Sequence, residues 1–273
     1  MKRIVLCADD YGQAEAISQG IITLIQNGRL SATSCMVNSP LWPAHAKRLL
    51  PFQPHIDLGL HFNLTEGKAL SARFVEAYGE NLFSLSSLMG RSFLRKPDIA
   101  AIEAECEAQL ERFIEALGCP PNFIDGHQHV HQLPVVRTAL VNVYEKHLRP
   151  YKTYVRLVGE KPKLGDLMSD LKKVVIYASG TKALKRLLEQ NQIPHNNSFA
   201  GIYSFSKAYQ YKTLFPRFLE KVDDKGIIMC HPGLPSSESG DAIAEARYKE
   251  YQYLSGNQFL IDCHRKGVTL GRF

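Results

Sequence analysis

Short, β-rich apolar runs alternate along the chain with stretches whose apolar residues recur every three or four positions. A first strand is expected over 2–8, where KRIVLCA runs directly into two acids. Residues 13–27 predict an amphipathic helix. Ile17, Ile21, Leu24 and Ile25 fall on one face, and Gly28 supplies a stop. Strands are expected at 32–37 and 56–64, with a short helix at 43–50 ahead of Pro51. The clearest helix is 99–117, where Ile102, Cys106, Leu110, Phe113 and Leu117 repeat at helical spacing before Gly118 and two prolines. Strands at 122–126, 154–158, 226–230 and 267–271 follow. Between them lie helices at 135–147, 182–191, 212–221, 242–254 and 259–266. The rest of 67–98 and 159–211 is less regular, and is expected to form loops over a site or small insertions.

This alternation predicts a parallel sheet with helices outside it. The number of units suits a distorted (β/α) barrel, TIM-barrel-like, better than an open doubly wound sheet. No GxGxxG or GxxxxGKS follows a strand, which removes support for the glycine-loop nucleotide folds. No repeat and no Pro/Gly/Ser linker divides the chain, so 1–273 is expected to be one α/β domain.

Composition adds limits rather than a function. Among 273 residues, 45% are hydrophobic and 22% charged, ordinary for a globular chain. The net charge of +6 is scattered, with no basic block, so nucleic acid is not an expected partner. No run approaches the roughly 20 apolar residues of a membrane span. The opening apolar run is too short for an export signal. Six cysteines, none in a CxxC pair, fit free thiols in a reducing cytoplasm.

Candidate chemistry sits at four strand ends: Asp9 and Asp10 after the first strand, His61 within 58–64, the run 125–131 (DGHQHVH), and Cys230-His231-Pro232-Gly233. In parallel α/β barrels the carboxyl ends of the strands form the active-site face, so residues distant in sequence converge there. Singly, each has a structural explanation: a lone strand-end histidine is usually satisfied in the core, and paired acids often cap a helix. Together they point to a divalent metal with open coordination positions. Imidazole and carboxylate suit Zn, Fe, Co, Ni or Mn, and carboxylate-rich sites suit Mg. The inventory leaves one carboxylate to act as base and one histidine as acid, the composition of a metal-assisted hydrolase.

The segments ADDYG at 8–12, GLHFNLTEG at 59–67, DGHQHVH at 125–131 and HPG at 231–233 resemble the YdjC-like carbohydrate deacetylases, which include the chitooligosaccharide deacetylases. HNNSFAGIYSF at 195–205 also resembles a family segment, so the likeness runs over nearly the whole chain. It implies a distorted (β/α) barrel that removes acetyl groups from N-acetylated sugars with a divalent metal, often Mg. Matched position by position, it implies Asp10, His61 and His127 as metal ligands, Asp9 as general base and His231 as general acid. Tyr11 stands where the family more often has Phe, and Gly126 where Ser or Ala is frequent. Neither change removes a functional group; both bear on pocket shape and therefore on substrate.

Secondary candidates surround these. His129 and His131 alternate with His127 and would share its face if the segment stays extended. Asp125 is placed to orient a ligand imidazole, and a buried Arg156 would need a carboxylate such as Asp9. Asn63 and Glu66 suit either a sugar hydroxyl or a loop cap. Trp42 and the tyrosines 203, 209 and 211 suit either a sugar cleft or core packing. Cys230 and His231, adjacent on a strand, face opposite sides, which argues against a Cys/His nucleophile. The expectation is a metal-dependent carbohydrate N-deacetylase, a hydrolase of linear amides. Mg is the expected ion, with Zn, Co, Ni or Mn as alternatives, and a small or oligomeric saccharide the expected partner. A homo-oligomer is left open. A deacetylase of another substrate such as a glycolipid, a phosphoesterase or amidohydrolase, and a non-catalytic sugar-binding protein are the other readings.

Overall fold

The computed structural model describes residues 1–159, 180–206, 210–236 and 240–273. All strand pairings within its eight-stranded sheet are parallel. The strands are β1 (Lys2–Tyr11), β2 (Ala32–Cys35), β3 (Asp57–Phe62), β4 (Phe123–Gly126), β5 (Tyr154–Val155), β6 (Phe199–Ala200), β7 (Ile227–Cys230) and β8 (Val268–Leu270). Their order is β5-β4-β3-β2-β1-β7-β6, with β8 paired to the first residues of β1. The two ends of this path meet through an isolated bridge, Val155 to His195. Asn196 reinforces it: its amide accepts from Leu157 N (2.8 Å) and donates to Leu157 O (2.9 Å). A side chain thus extends the short backbone pairing at this seam, where Val155 N–H donates to Pro194 O. This is the distorted (β/α) barrel that the strand–helix alternation predicts.

Side-chain parity organises the sheet. Val5 and Cys7, Phe123, Tyr154 and Val158, and Ile227 and Met229 pack together inside the barrel. Their neighbours Ile4, Leu6 and Ala8, Leu58, Leu60 and Phe62, Ile124, Val155, Ile228 and Cys230 join the outer core against the helices. Successive strand residues point to opposite faces, so each strand feeds both cores. Gly59 makes room for this interior: a Cβ there would lie 2.3 Å from the Phe123 ring.

The outer layer includes α1 (Glu15–Gln26), α2 (Trp42–Leu49), α3 (Ala72–Tyr78), α4 (Leu85–Phe93), α5 (Ile99–Leu117) and α6 (Val136–Val143). It continues with α7 (Lys182–Gln190), α8 (Tyr211–Lys221), α9 (Ala244–Ser255) and α10 (Asn257–Arg265). Helix α5 has the expected limits. Asp98 accepts from Ala100 N at its start, and Gly118 takes a left-handed conformation, φ 72°, at its end. It buries Ile102, Cys106, Leu110, Phe113 and Leu117, the Ile, Leu and Phe side chains each contributing roughly 1.5–3 kcal/mol. Two short helices, α3 and α4, occupy the region expected to be irregular, each capped by a serine, Ser71 and Ser84. The expected helix over 135–147 changes to a π turn at Tyr144–Leu148. Trp42 is fully buried, stacked on Phe113 with Nε1 donating to Arg112 O, so it is a core residue. Tyr203 and Tyr211 are buried as well; Tyr209 lies outside the described residues. All six cysteines are free thiols.

Candidate active site

The interior parity of the strands continues upward into polar residues. Asp9 follows Val5 and Cys7, His61 follows Gly59, Asp125 follows Phe123, Arg156 follows Tyr154, and His231 follows Met229. Period-two geometry alone therefore aims these five toward one end of the barrel interior. Asp9, His61 and His231 line a cavity of about 830 Å³ there. That volume is within the usual range of small-molecule sites.

Asp10 would face the opposite way on a regular strand. Its φ of +68° and a register irregularity between Ala8 and Tyr11 turn it back. A non-glycine residue in this conformation costs about 1–2 kcal/mol, which the surrounding contacts offset. Its Oδ1 lies 3.3 Å from His61 Nε2 and 3.1 Å from His127 Nδ1. Its Oδ2 accepts from Arg247 Nη2 at 2.8 Å.

These three ligand-type groups are buried, and their atoms lie within 4.8 Å of one another. Two imidazoles converging on one carboxylate oxygen beside an open cavity fit a divalent cation with free coordination positions. His61 Nδ1–H donates to Asp125 Oδ1 at 2.6 Å, the outer contact that fixes a ligand imidazole's tautomer. Ser34 Oγ also donates to that oxygen, at 2.6 Å. Cys7, Asp9 and Asp125 form a second close group. Arg156 fills it: its Nη1 and Nη2 donate to Asp9 Oδ1 and Oδ2 (2.6 and 2.7 Å), and Nη2 lies 3.0 Å from Asp125. A guanidinium there leaves no place for a cation.

Burial and charge compete throughout the site. Burial pushes the Asp10 carboxyl up, but Arg247 and the two imidazoles hold it well below the usual carboxylate range. Asp125 is likewise brought down to about 2, with Arg156 and His61 outweighing burial. For His61 burial acts downward, and Asp125 and Asp10 overcome it, raising the imidazole to about 10.

His231 Nε2 lies 4.0 Å from Asp9 Oδ2. Its main-chain N–H donates to the buried Glu250 carboxylate, which also accepts from Tyr203 Oη, both at 2.5 Å. Burial pushes Glu250 up to about 7.

A match to the family model for YdjC-like proteins spans residues 3–265. The chain belongs to the YdjC-like family. Chitooligosaccharide deacetylases of Yersinia pestis (strain Pestoides F) and Yersinia pseudotuberculosis serotype O:1b (strain IP 31758) are each 38% identical to this YdjC-like chain over 137 residues. Those matches cover 50% of this chain and 53% of each relative, so the similarity spans about half the length of the curated relatives. A crystal structure of a cellobiose-phosphate cleavage candidate from Enterococcus faecalis V583 superposes with a TM-score of 0.76 at 19% identity, covering 99% of this chain and 97% of the other. A peptidoglycan N-acetylglucosamine deacetylase gives 0.51 at 12% identity, covering 99% and 86%. At these identities the likeness is one of fold.

The secondary candidates of this YdjC-like protein separate cleanly. Asp125 bonds the cluster through His61, and Arg156 bonds Asp9 and neighbours Asp125. The segment after β4 is a 3₁₀ turn with Gln128 and His129 at positive φ, which breaks the alternation of its histidines. His129 stays on the cavity wall. His131 turns inward, fully buried, with Nε2–H donating to Arg156 O at 2.8 Å, and burial lowers it to about 4. Asn63 is buried, and its side chain bonds Asn38, the Thr65 and Glu66 amides and Glu66 O. It shapes the 63–66 loop. Arg247 and Glu250 are absent from the strand-end reading. On a polar helical stretch such as EARYKEYQ they look like solvated charges, and nothing local marks them as site residues.

Proposed function

We propose that the chain is a metal-dependent carbohydrate N-deacetylase that hydrolyses the acetamide of an N-acetylated sugar. The observation that carries this reading is the pairing of Asp9 with His231. A carboxylate fixed by Arg156 and an imidazole 4.0 Å away stand beside the Asp10–His61–His127 cluster, on one cavity. A binding protein needs neither member of that pair, whereas amide hydrolysis needs both.

Asp10, His61 and His127 would hold the cation. Mg is favoured by family membership, and Zn, Co, Ni or Mn are compatible with the donor set. When bound, such an ion supplies Lewis acidity toward an amide carbonyl and lowers the pKa of water. Asp9 accepts the proton of the attacking water. Both its oxygens are tied to Arg156 and Oδ1 also takes the Cys7 thiol, whereas Oδ2 keeps a further lone pair for the water. His231 donates a proton to the departing nitrogen, so the C–N bond breaks to an amine and acetate. The need for a base and an acid predicts a bell-shaped pH profile. Relatives named for chitooligosaccharides make N-acetylglucosamine oligomers the first substrates to try.

The test is acetate release from N-acetylglucosamine, diacetylchitobiose and their 6-phosphates, with Mg, Zn, Co or Ni supplied in turn. Asp9→Asn is expected to lower the rate about 10²–10⁴-fold, the usual worth of general base catalysis, while still binding the metal. Full activity in that variant would remove Asp9 from the mechanism. No acetate from any substrate, with metal bound, would move the reading toward another hydrolysable bond.

A further inference from the structure

Five side chains close a ring of polar contacts on one side of the cluster. Asp10 Oδ1 lies 3.1 Å from His127 Nδ1, and His127 Nε2 lies 3.2 Å from Glu66 Oε2. Gln13 Nε2 donates to both Glu66 oxygens, at 2.8 and 2.9 Å. Arg247 Nη2 donates to Gln13 Oε1 at 3.0 Å and to Asp10 Oδ2 at 2.8 Å. The members come from the ends of β1 and β4, the loops after β1 and β3, and α9.

We propose that Glu66 is the positioning residue for His127, and that Gln13 acts through it. The inference rests on the reading of Asp10, His61 and His127 as metal ligands. Each imidazole has one nitrogen toward Asp10 and the other toward an outer carboxylate. For His61 the outer carboxylate is the buried Asp125; for His127 it is Glu66, whose side chain is 47% exposed. An outer carboxylate fixes ring orientation and tautomer and raises ligand basicity. A merely solvated acid would not explain how firmly Glu66 is held. Its main-chain O accepts from Asn63 Nδ2 (2.7 Å) and Asn38 Nδ2 (2.9 Å), and its N–H donates to Asn63 Oδ1 (3.1 Å). The buried asparagines of this loop aim a half-exposed carboxylate at a ligand histidine. Because Glu66 also lines the cavity, the orientation of His127 is set at the wall that substrate meets.

The test is titration of the full chain with Co²⁺, followed calorimetrically and by its visible ligand-field absorption. Glu66→Ala is expected to weaken Co²⁺ binding 10–100-fold, the usual effect of losing an outer partner, and to shift the absorption band. Glu66→Gln, which keeps an amide oxygen where a carboxylate oxygen stands 3.2 Å from Nε2, should recover most of the affinity. Gln13→Ala should fall between, and Gln13→Ala with Glu66→Ala should be no weaker than Glu66→Ala alone. Unchanged affinity and spectrum in Glu66→Ala would overturn the proposal. So would a lowered unfolding midpoint of that variant without metal, which would mark a purely structural role. Failure of the unaltered protein to bind Co²⁺ would overturn the metal-site reading itself, and the first titration separates that outcome from the others.

Discussion

Asp9 and Arg156 are joined by two charge-assisted hydrogen bonds across the barrel interior, from strand β1 to the end of β5. In the sheet order these strands are separated by β2, β3 and β4, so the pair spans the lumen rather than a ladder. Arg156 is fully buried and also neighbours Asp125, which in turn holds His61. One guanidinium thereby orients the candidate base and the support of a candidate ligand.

Arg156→Met leaves Asp9 and Asp125 buried without their cation. It is expected to lower stability by about 3–5 kcal/mol in urea unfolding, the cost of breaking a buried pair from one side. Adding Asp9→Asn should restore part of that loss, because the two positions share one network. A variant as stable as the unaltered protein would contradict the charge accounting.

His61, raised to about 10 by Asp125 and Asp10 against burial, carries a proton at pH 7 without a cation. A ligand imidazole must be neutral, so metal binding must expel that proton. Calorimetry in buffers of different ionisation enthalpy should find at least one proton released per ion. Affinity should fall about tenfold per pH unit from pH 8 to pH 6. Affinity flat across that window would show that His61 is already neutral in the metal-free site, against its raised pKa.

Glu250 has its carboxyl pushed up to about 7 by burial, so the fold favours its neutral form. Its contribution is full below the unfolded-state value near 4.3 and is lost as pH rises through about 7. Glu250→Gln should therefore flatten the decline in stability between about pH 4.3 and pH 7, an effect on the order of 3 kcal/mol at most. The gain should appear at the alkaline end. An unchanged slope in thermal unfolding would assign the pH dependence to other groups.

Gly59 pairs in register with Phe123, whose ring occupies the space a Cβ would need. Gly59→Ala should destabilise by about 1–3 kcal/mol through overpacking. Phe123→Leu in the same chain should relieve much of it. Because His61 lies two residues away on the same face, the single variant should also weaken metal binding, and the double variant should recover it.

The amino-acid sequence by itself determined seven of the eight described strands, their parity and their carboxyl ends. Residues that alternate along Val5–Cys7–Asp9 or Ile227–Met229–His231 share a face whatever surrounds them, because the period of a strand is two. The strand ends brought Asp9, Asp10, His61, the 125–131 run and His231 together on sequence alone, with Asp125 and Arg156 as secondary candidates. The shared parity of Asp9, His61, Asp125, Arg156 and His231 shows why five of these face one interior. Helix α5 was equally legible, its spacing and both ends being local signals. The two-residue strand β6 and the short helices α3 and α4 were not, because elements of that length carry less than a full period of pattern.

Only tertiary structure decided the rest. Asp10 reaches the cluster by leaving strand geometry, a turn against its own parity that neighbouring contacts impose. The 3₁₀ turn after β4 separates His127, His129 and His131, which an extended segment would have kept together. Arg247 meets Asp10 across 237 positions of sequence, and Glu66 meets His127 from another loop. Charges on a helix face or loop read as solvated, because their partners belong to other elements. Chain folding supplies those partners, and periodicity carries no record of them.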